Sequence, residues 1–127
     1  MAAKLDSSLP QAPLPQGSLD LLVLQTLDGG KKHGYQIARH IQLTSGDVLR
    51  VEEGSLYPAL HRMERRGWIA AEWGVSDANR RAKYYGLTRT GRAQLKTEVA
   101  SWRAMVEAIG AVIDAGKVTP RAGFQIT

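Results

Sequence analysis

The 127 residues carry 17 Lys/Arg against 12 Asp/Glu, a formal net charge of +5, and no cysteine. A chain of this length builds about one domain, and the missing cysteines exclude a disulfide framework, a thiol nucleophile and a cysteine-based zinc site. No stretch approaches the run of about 18 apolar residues that a membrane span needs, and the opening MAAKLDSSLPQAPLPQG lacks the apolar stretch of a secretory leader, so a soluble, cytoplasmic protein is expected.

The positive charge is concentrated. Residues 50–96 hold ten Lys/Arg and five Asp/Glu, whereas the rest of the chain holds seven of each. A basic segment inside an otherwise balanced chain has the character of a footprint for a polyanion.

In chain order, residues 1–15 hold three of the five prolines with little periodicity, which predicts a flexible tail. GSLDLLVLQTLDGG predicts a helix with Ser18 as N-cap and Gly29-Gly30 as the stop. Its apolar side chains run nearly all the way round, so it is expected to be buried on most sides. KKHGYQIARHI predicts a second helix starting near His33, QLTSGD a loop, and VLRVE one short strand.

GSLYPALHRMERRGW then predicts a helix over 55–66 with two unlike faces. At about 100° per residue, Leu56, Leu60 and Met63 share a narrow arc with Ala59 at its edge. Pro58, His61, Arg62 and Arg65 lie opposite, with Ser55 and Tyr57 on the flanks. Ser55 suits an N-cap, which puts Pro58 in the first turn, where a missing N–H costs nothing. Arg65 and Arg66 also suit a helix C-terminus, where the macrodipole favours cations without any ligand. Gly67 ends the helix.

IAAEW and KYYGL alternate like strands around the turn-forming GVSDAN, so a hairpin follows, with Arg80, Arg81 and Lys83 on its returning arm. From Thr88 or Thr90 a last helix begins. Leu95, Val99, Trp102, Val106, Ile109 and Ile113 recur in it at coiled-coil spacing, which predicts an intersubunit seam.

Helix, helix, short strand, helix, hairpin, long helix is the order of a winged helix-turn-helix with a C-terminal dimerisation helix, a mainly α fold with a small β-hairpin. The domain expected is 16–88, followed by a dimerisation helix over 89–116 and a flexible tail over 117–127. A helix with an apolar anchor face and a basic, aromatic outer face suits a DNA major groove. Pro58 and Ser55 belong to the turn pointing into that groove, and His61 and Arg62 can reach base edges. Tyr57 can give its hydroxyl to a phosphate. The hairpin, as a wing over 74–85, would set Arg80, Arg81 and Lys83 against the neighbouring backbone or minor groove.

GSLDLLVLQTL, HGYQIARHI, EEGSLYPALHRMERRGWI and NRRAKYYGLTRTGRAQL, in this order over roughly residues 15 to 115, resemble blocks of the PadR family of transcriptional regulators. The single short C-terminal helix resembles its compact subgroup. The resemblance implies a homodimer, usually a repressor, bound to an inverted-repeat (palindromic) operator near detoxification, efflux or phenolic-stress genes. It adds Tyr35, which resembles the family's helix-2 tyrosine, to the DNA-binding set. Trp102, after a serine as in multidrug-sensing members, would line a candidate effector pocket with Met105 and Val106, suited to planar aromatic ligands. Gly86 departs from the family, which usually has a larger, often basic residue there.

Rival classes fit less well. His33, His40 and His61 share no metal-ligand spacing, and the chain has no HExxH, glycine-rich phosphate loop or nucleophile elbow. No enzyme activity, cofactor or metal is expected. A protein-binding winged helix without DNA specificity would have an apolar or acidic recognition face. An RNA reader would be expected to carry an aromatic sheet platform.

Overall fold

A computed structural model describes Leu14 and residues 17–116, so the tails expected over 1–15 and 117–127 lie, Leu14 apart, outside the described residues. The elements are α1 (Ser18–Leu27), β1 (Lys32–His33), α2 (Gly34–Thr44), α3 (Glu53–Arg65), β2 (Ile69–Val75), β3 (Arg81–Leu87) and α4 (Arg89–Ala115). They form the winged helix-turn-helix with a C-terminal helix that their order predicts. The chain divides into two compact units after Leu95, so the first turns of α4 belong with the winged helix.

Each helix of the first unit contributes one apolar face to a shared core. Val23, Leu24 and Leu27 come from α1, Ile37 and Ile41 from α2, and Leu56, Ala59, Leu60 and Met63 from α3. Ile69, Tyr85 and Leu95 close the core from β2, β3 and α4. Burying a leucine or isoleucine is worth roughly 1.5–3 kcal/mol, so this cluster is the main term holding the helices together.

The sheet is antiparallel in the order β1-β3-β2. β2 and β3 pair from Ile69↔Leu87 to Val75↔Arg81. The tip is a tight turn. The Asn79 N–H donates to the Ser76 carbonyl at 2.9 Å and the Ser76 N–H to the Arg80 carbonyl at 2.8 Å. Asn79 takes φ 57°, a left-handed conformation that asparagine tolerates better than most residues.

Several local expectations are corrected. VLRVE is not a strand; it is the connector between α2 and α3. The third strand is instead Lys32–His33, paired with Tyr85 and Tyr84. A two-residue strand has no periodicity of its own and is defined by its partner. Gly17, at φ 84°, occupies the N-cap of α1, and Ser18 is the first helical residue. Similarly, α3 begins at Glu53 behind Glu52, ahead of the expected cap Ser55. Pro58 is therefore inside the helix and removes a hydrogen bond to the Gly54 carbonyl. Both residues are exposed, so water can take that carbonyl.

The start of α4 is built on a close backbone approach. Thr88 Oγ accepts the Gly91 N–H at 3.0 Å and donates to the Gly67 carbonyl, and the Thr88 N–H donates to the Trp68 carbonyl at 3.0 Å. Thr88, not Thr90, is the cap. A side chain at position 91 would put its Cβ 1.9 Å from the Trp68 carbonyl oxygen, so only glycine lets α4 leave the sheet here.

Candidate nucleic-acid interface

α3 presents its outer surface because its inner surface is committed. With Leu56, Ala59, Leu60 and Met63 buried, Gly54, Pro58, His61 and Arg65 lie along the opposite line and are exposed. Ser55 and Tyr57 are exposed on the two flanks. Among the described residues, neither His61 nor Arg65 is in an ion pair. The helix thus offers an open row of small, imidazole and guanidinium groups.

Tyr57 has two jobs. Its ring lies over the first residue of α2, where a Cβ on Gly34 would come 2.5 Å from the Tyr57 hydroxyl oxygen. The rest of the ring stays partly exposed. α2 itself starts with a capping box: His33 Nδ1 accepts the Gln36 N–H at 3.3 Å, and Gln36 Oε1 accepts the His33 N–H at 3.1 Å. The His33 ring meets the edge of Tyr84 at 5.3 Å between centroids. This fixes the first turn of α2, from which Tyr35 projects with 66% of its surface exposed.

Two of the expected contacts are engaged inside the domain. Arg62 is ion-paired with Asp20, tying α3 to α1. Lys83 Nζ sits 3.5 Å from Glu64 and 5.7 Å above the Tyr85 ring, tying the wing to α3. Both cations lie on the flanks of their elements, where a carboxylate from a neighbouring helix can reach them. Burial, aided by the Glu64 carboxylate, pushes the Tyr85 hydroxyl above its ordinary range.

Arg80 and Arg81 remain at the exposed end of the hairpin. Arg81 places its guanidinium 4.4 Å over the Trp73 ring. On the other face of the hairpin the Tyr84 ring covers Gly74, and its hydroxyl donates to the Val75 carbonyl at 3.1 Å. Gly86 is explained by Lys31, whose stem would lie 3.1 Å from a Cβ there and whose amine pairs with Glu72. The larger residue usual in the family would have to displace that stem.

The turn between α2 and α3 supplies residues that sequence reading passed over. Asp47, buried and at φ 68°, accepts from Gln42 Nε2 at 2.7 Å and from Arg50 Nε and Nη2 at 3.1 and 3.0 Å. The Arg50 guanidinium, then the Gln42 amide, hold its carboxyl below the usual carboxylate range. Arg50 and Arg39 thereby flank an open cavity of about 400 Å³ between the two helices, with Tyr35 and Tyr57 on its other walls. The composition of QLTSGD signals a turn, but no local pattern reveals that its aspartate aims an arginine.

The second unit contains the rest of α4. Leu95, placed in the seam by its spacing, is buried in the first unit. Val99 is half-buried, and Trp102, Met105, Val106, Ile109 and Ile113 are exposed. Val112, outside the predicted seam, is the most exposed at 77% and widens the apolar surface.

Among the described residues there is no group of three side chains able to hold a metal and no helix long and apolar enough to cross a membrane.

Residues 23–97 match the model of the transcriptional regulator PadR-like family. An uncharacterized protein of Lysinibacillus sphaericus is 33% identical over 95 residues, covering 74% of this chain and 86% of its own. The structure of a PadR family transcription regulator from Clostridium difficile superposes with a TM-score of 0.65 at 29% identity, covering 76% of this chain and 99% of its own. A transcriptional regulator from Clostridium thermocellum gives 0.68 at 27% identity, covering 75% and 92%. With the fold, the open α3 face and the matched family model in agreement, this chain belongs to the PadR-like family of transcriptional regulators.

Proposed function

We propose that the protein is a homodimeric repressor that binds an inverted repeat in duplex DNA and controls detoxification or efflux genes in the cytoplasm. The observation that carries this reading is the exposed row Gly54, Pro58, His61 and Arg65 on α3. His61 and Arg65 offer donors to the guanine N7 and O6 acceptors of a major groove. Tyr35, Ser55, Tyr57, Arg80 and Arg81, all exposed, take phosphates, while Arg62 and Lys83 brace the helix and the wing.

The exposed apolar residues of α4 support dimerisation. Trp102, Met105, Val106, Ile109, Val112 and Ile113 lie on one side of one helix, a surface that a second copy of the helix would cover. Two-fold symmetry then sets two α3 helices against half-sites about one helical turn, or slightly more, apart. A planar aromatic effector seated against Trp102, Met105 and Val106 between the subunits would change the angle of the α4 helices and so the spacing of the α3 helices.

Selection of bound duplexes from a random pool at about 0.15 M salt, where weak surface attraction is screened, tests the reading. Enrichment of an inverted repeat is the expected result. No enrichment, with only bulk binding that is lost as salt rises, would favour a winged helix whose specificity lies in a protein partner, because non-specific phosphate contacts weaken steeply with salt.

A further inference from the structure

The inner row of β2 begins in the core with Ile69, passes half-buried Ala71, and then runs out of domain to cover it. Trp73 is 59% exposed and Val75 66%. A tryptophan left open at the free end of a hairpin exposes the largest apolar side chain of the wing, at a cost that burial elsewhere would avoid. Its position is nevertheless fixed. Lys83 lies directly across the ladder from Trp73 and Arg81 from Val75, with the Arg81 guanidinium over the ring. Behind it, Tyr84 packs on Gly74 and bonds to the Val75 carbonyl, so the strand that carries Trp73 is braced from the opposite face.

The row faces a definite direction. Lys83, in register with Trp73, uses this same face to reach Glu64 of α3. Trp73 therefore projects from the side of the hairpin that α3 occupies, where a duplex held by α3 would pass. A flat apolar ring capped by one guanidinium, with Arg80 beside it at the tip, fits a surface that is apolar and anionic together. The sugar walls of a DNA groove, edged by phosphates, are such a surface.

We infer that Trp73 is a DNA-contacting residue of the wing, its indole packing against deoxyribose beside the groove that α3 enters while Arg81, held on the ring, takes the adjoining phosphate. The inference rests on the DNA-binding reading above. It makes the aromatic ring itself part of the affinity for DNA, with charge supplying only the remainder.

The test uses full-length protein and a mixed-sequence duplex of roughly 30 base pairs at about 0.05 M salt, conditions in which backbone binding is strong whatever the operator. Fluorescence anisotropy of the labelled duplex gives affinity. Fluorotryptophan incorporation gives one fluorine resonance for each of the three tryptophans, assigned by single Trp→Phe variants. Saturating duplex should shift the Trp73 resonance and protect it from a soluble paramagnetic quencher. Trp73→Ala should weaken binding about tenfold with the circular dichroism spectrum unchanged, and Trp73→Phe should restore most of it.

Normal binding by Trp73→Ala, with the Trp73 resonance unmoved by duplex, would overturn the inference and leave the α3-led reading standing. Protection of Trp73 that depends on protein concentration instead of duplex would overturn it in favour of a contact between copies. Failure of the wild-type protein to bind any duplex would remove the DNA reading and this inference with it.

Discussion

Gly34 and Tyr57 are fitted to each other: the tyrosine hydroxyl lies where any side chain on residue 34 would begin, at 2.5 Å from an added Cβ. This single contact joins the first turn of α2 to the exposed flank of α3. Gly34→Ala must therefore push the ring away, although alanine is otherwise the better helix former. A fall in thermal midpoint together with weaker duplex binding is expected. In the Tyr57→Ala background the same change should cost little, giving a coupling of about 1 kcal/mol or more in a double-mutant cycle. Additive effects would mean the ring moves aside freely and does not set the angle between the helices.

Arg62 is paired within the domain while Arg65 is open, so the two should separate stability from recognition. Arg62→Ala leaves the partly buried Asp20 carboxylate without its partner and should cost about 1 kcal/mol in chemical denaturation, between the values for exposed and buried pairs. Arg65→Ala should leave the unfolding curve unchanged and lower affinity for the selected operator. If Arg62→Ala instead kept full stability and relaxed base preference at one position per half-site, Arg62 would be exchanging Asp20 for a base, as its place in the sequence suggests.

These two arginines also show how far the sequence reaches. The apolar period of 56–63 fixes which side of α3 is buried, and so predicts the exposed row correctly in outline. It cannot rank Arg62 against Arg65, because each lies within about 60° of the outer line and the deciding carboxylate belongs to Asp20, remote in the chain. β1 was invisible for the same reason: Lys32–His33 is a strand only because Tyr84 and Tyr85 pair with it. The caps of α1 and α3 lie one and three residues ahead of the serines that the sequence suggests, because serine is a common N-cap, whereas Gly17 and Glu52 take the position here without any side-chain hydrogen bond. Trp73 escaped notice because an alternating strand predicts an inward tryptophan, and only the structure shows that the domain ends before reaching it.

Gly91 supports the junction between the sheet and α4. With a Cβ at 1.9 Å from a backbone oxygen, no rotamer change relieves the clash, and either α4 or the Gly67–Trp68 turn has to move. Gly91→Ala should destabilise the first unit by at least about 2 kcal/mol, in the range of core overpacking, despite its higher helix propensity. An unchanged midpoint in urea would show that the junction is softer than its hydrogen bonds imply.

Asp47 gives stability a definite dependence on pH. Its carboxyl titrates below the ordinary carboxylate value because the Arg50 hydrogen bonds favour the charged form. A carboxyl whose folded pKa is depressed adds stability above its unfolded pKa, and that stability fades as pH falls through the folded value. Asp47→Asn keeps a residue that accepts the positive φ and should lower the thermal midpoint at pH 7. The gap between the two proteins should close as pH drops through the carboxylate range. A gap that stays constant would mean that backbone geometry, not the ionised carboxylate, is what position 47 contributes.

The apolar side of α4 makes the dimer testable without any ligand. Val99 and Val106 lie seven positions apart on the same side of the helix, half-buried and exposed respectively. Replacing both with glutamate puts two charges on each chain into the proposed seam, where four carboxylates would then have to lose water together. Sedimentation equilibrium should show monomers, with the helical circular dichroism signal largely kept because the winged-helix core lies in the other unit. Operator affinity should fall steeply, since one α3 helix now binds a half-site without the second to hold it there. If the variant stayed dimeric, the subunits would have to meet through a surface other than this side of α4, and the effector site at Trp102 would lose its physical basis as well.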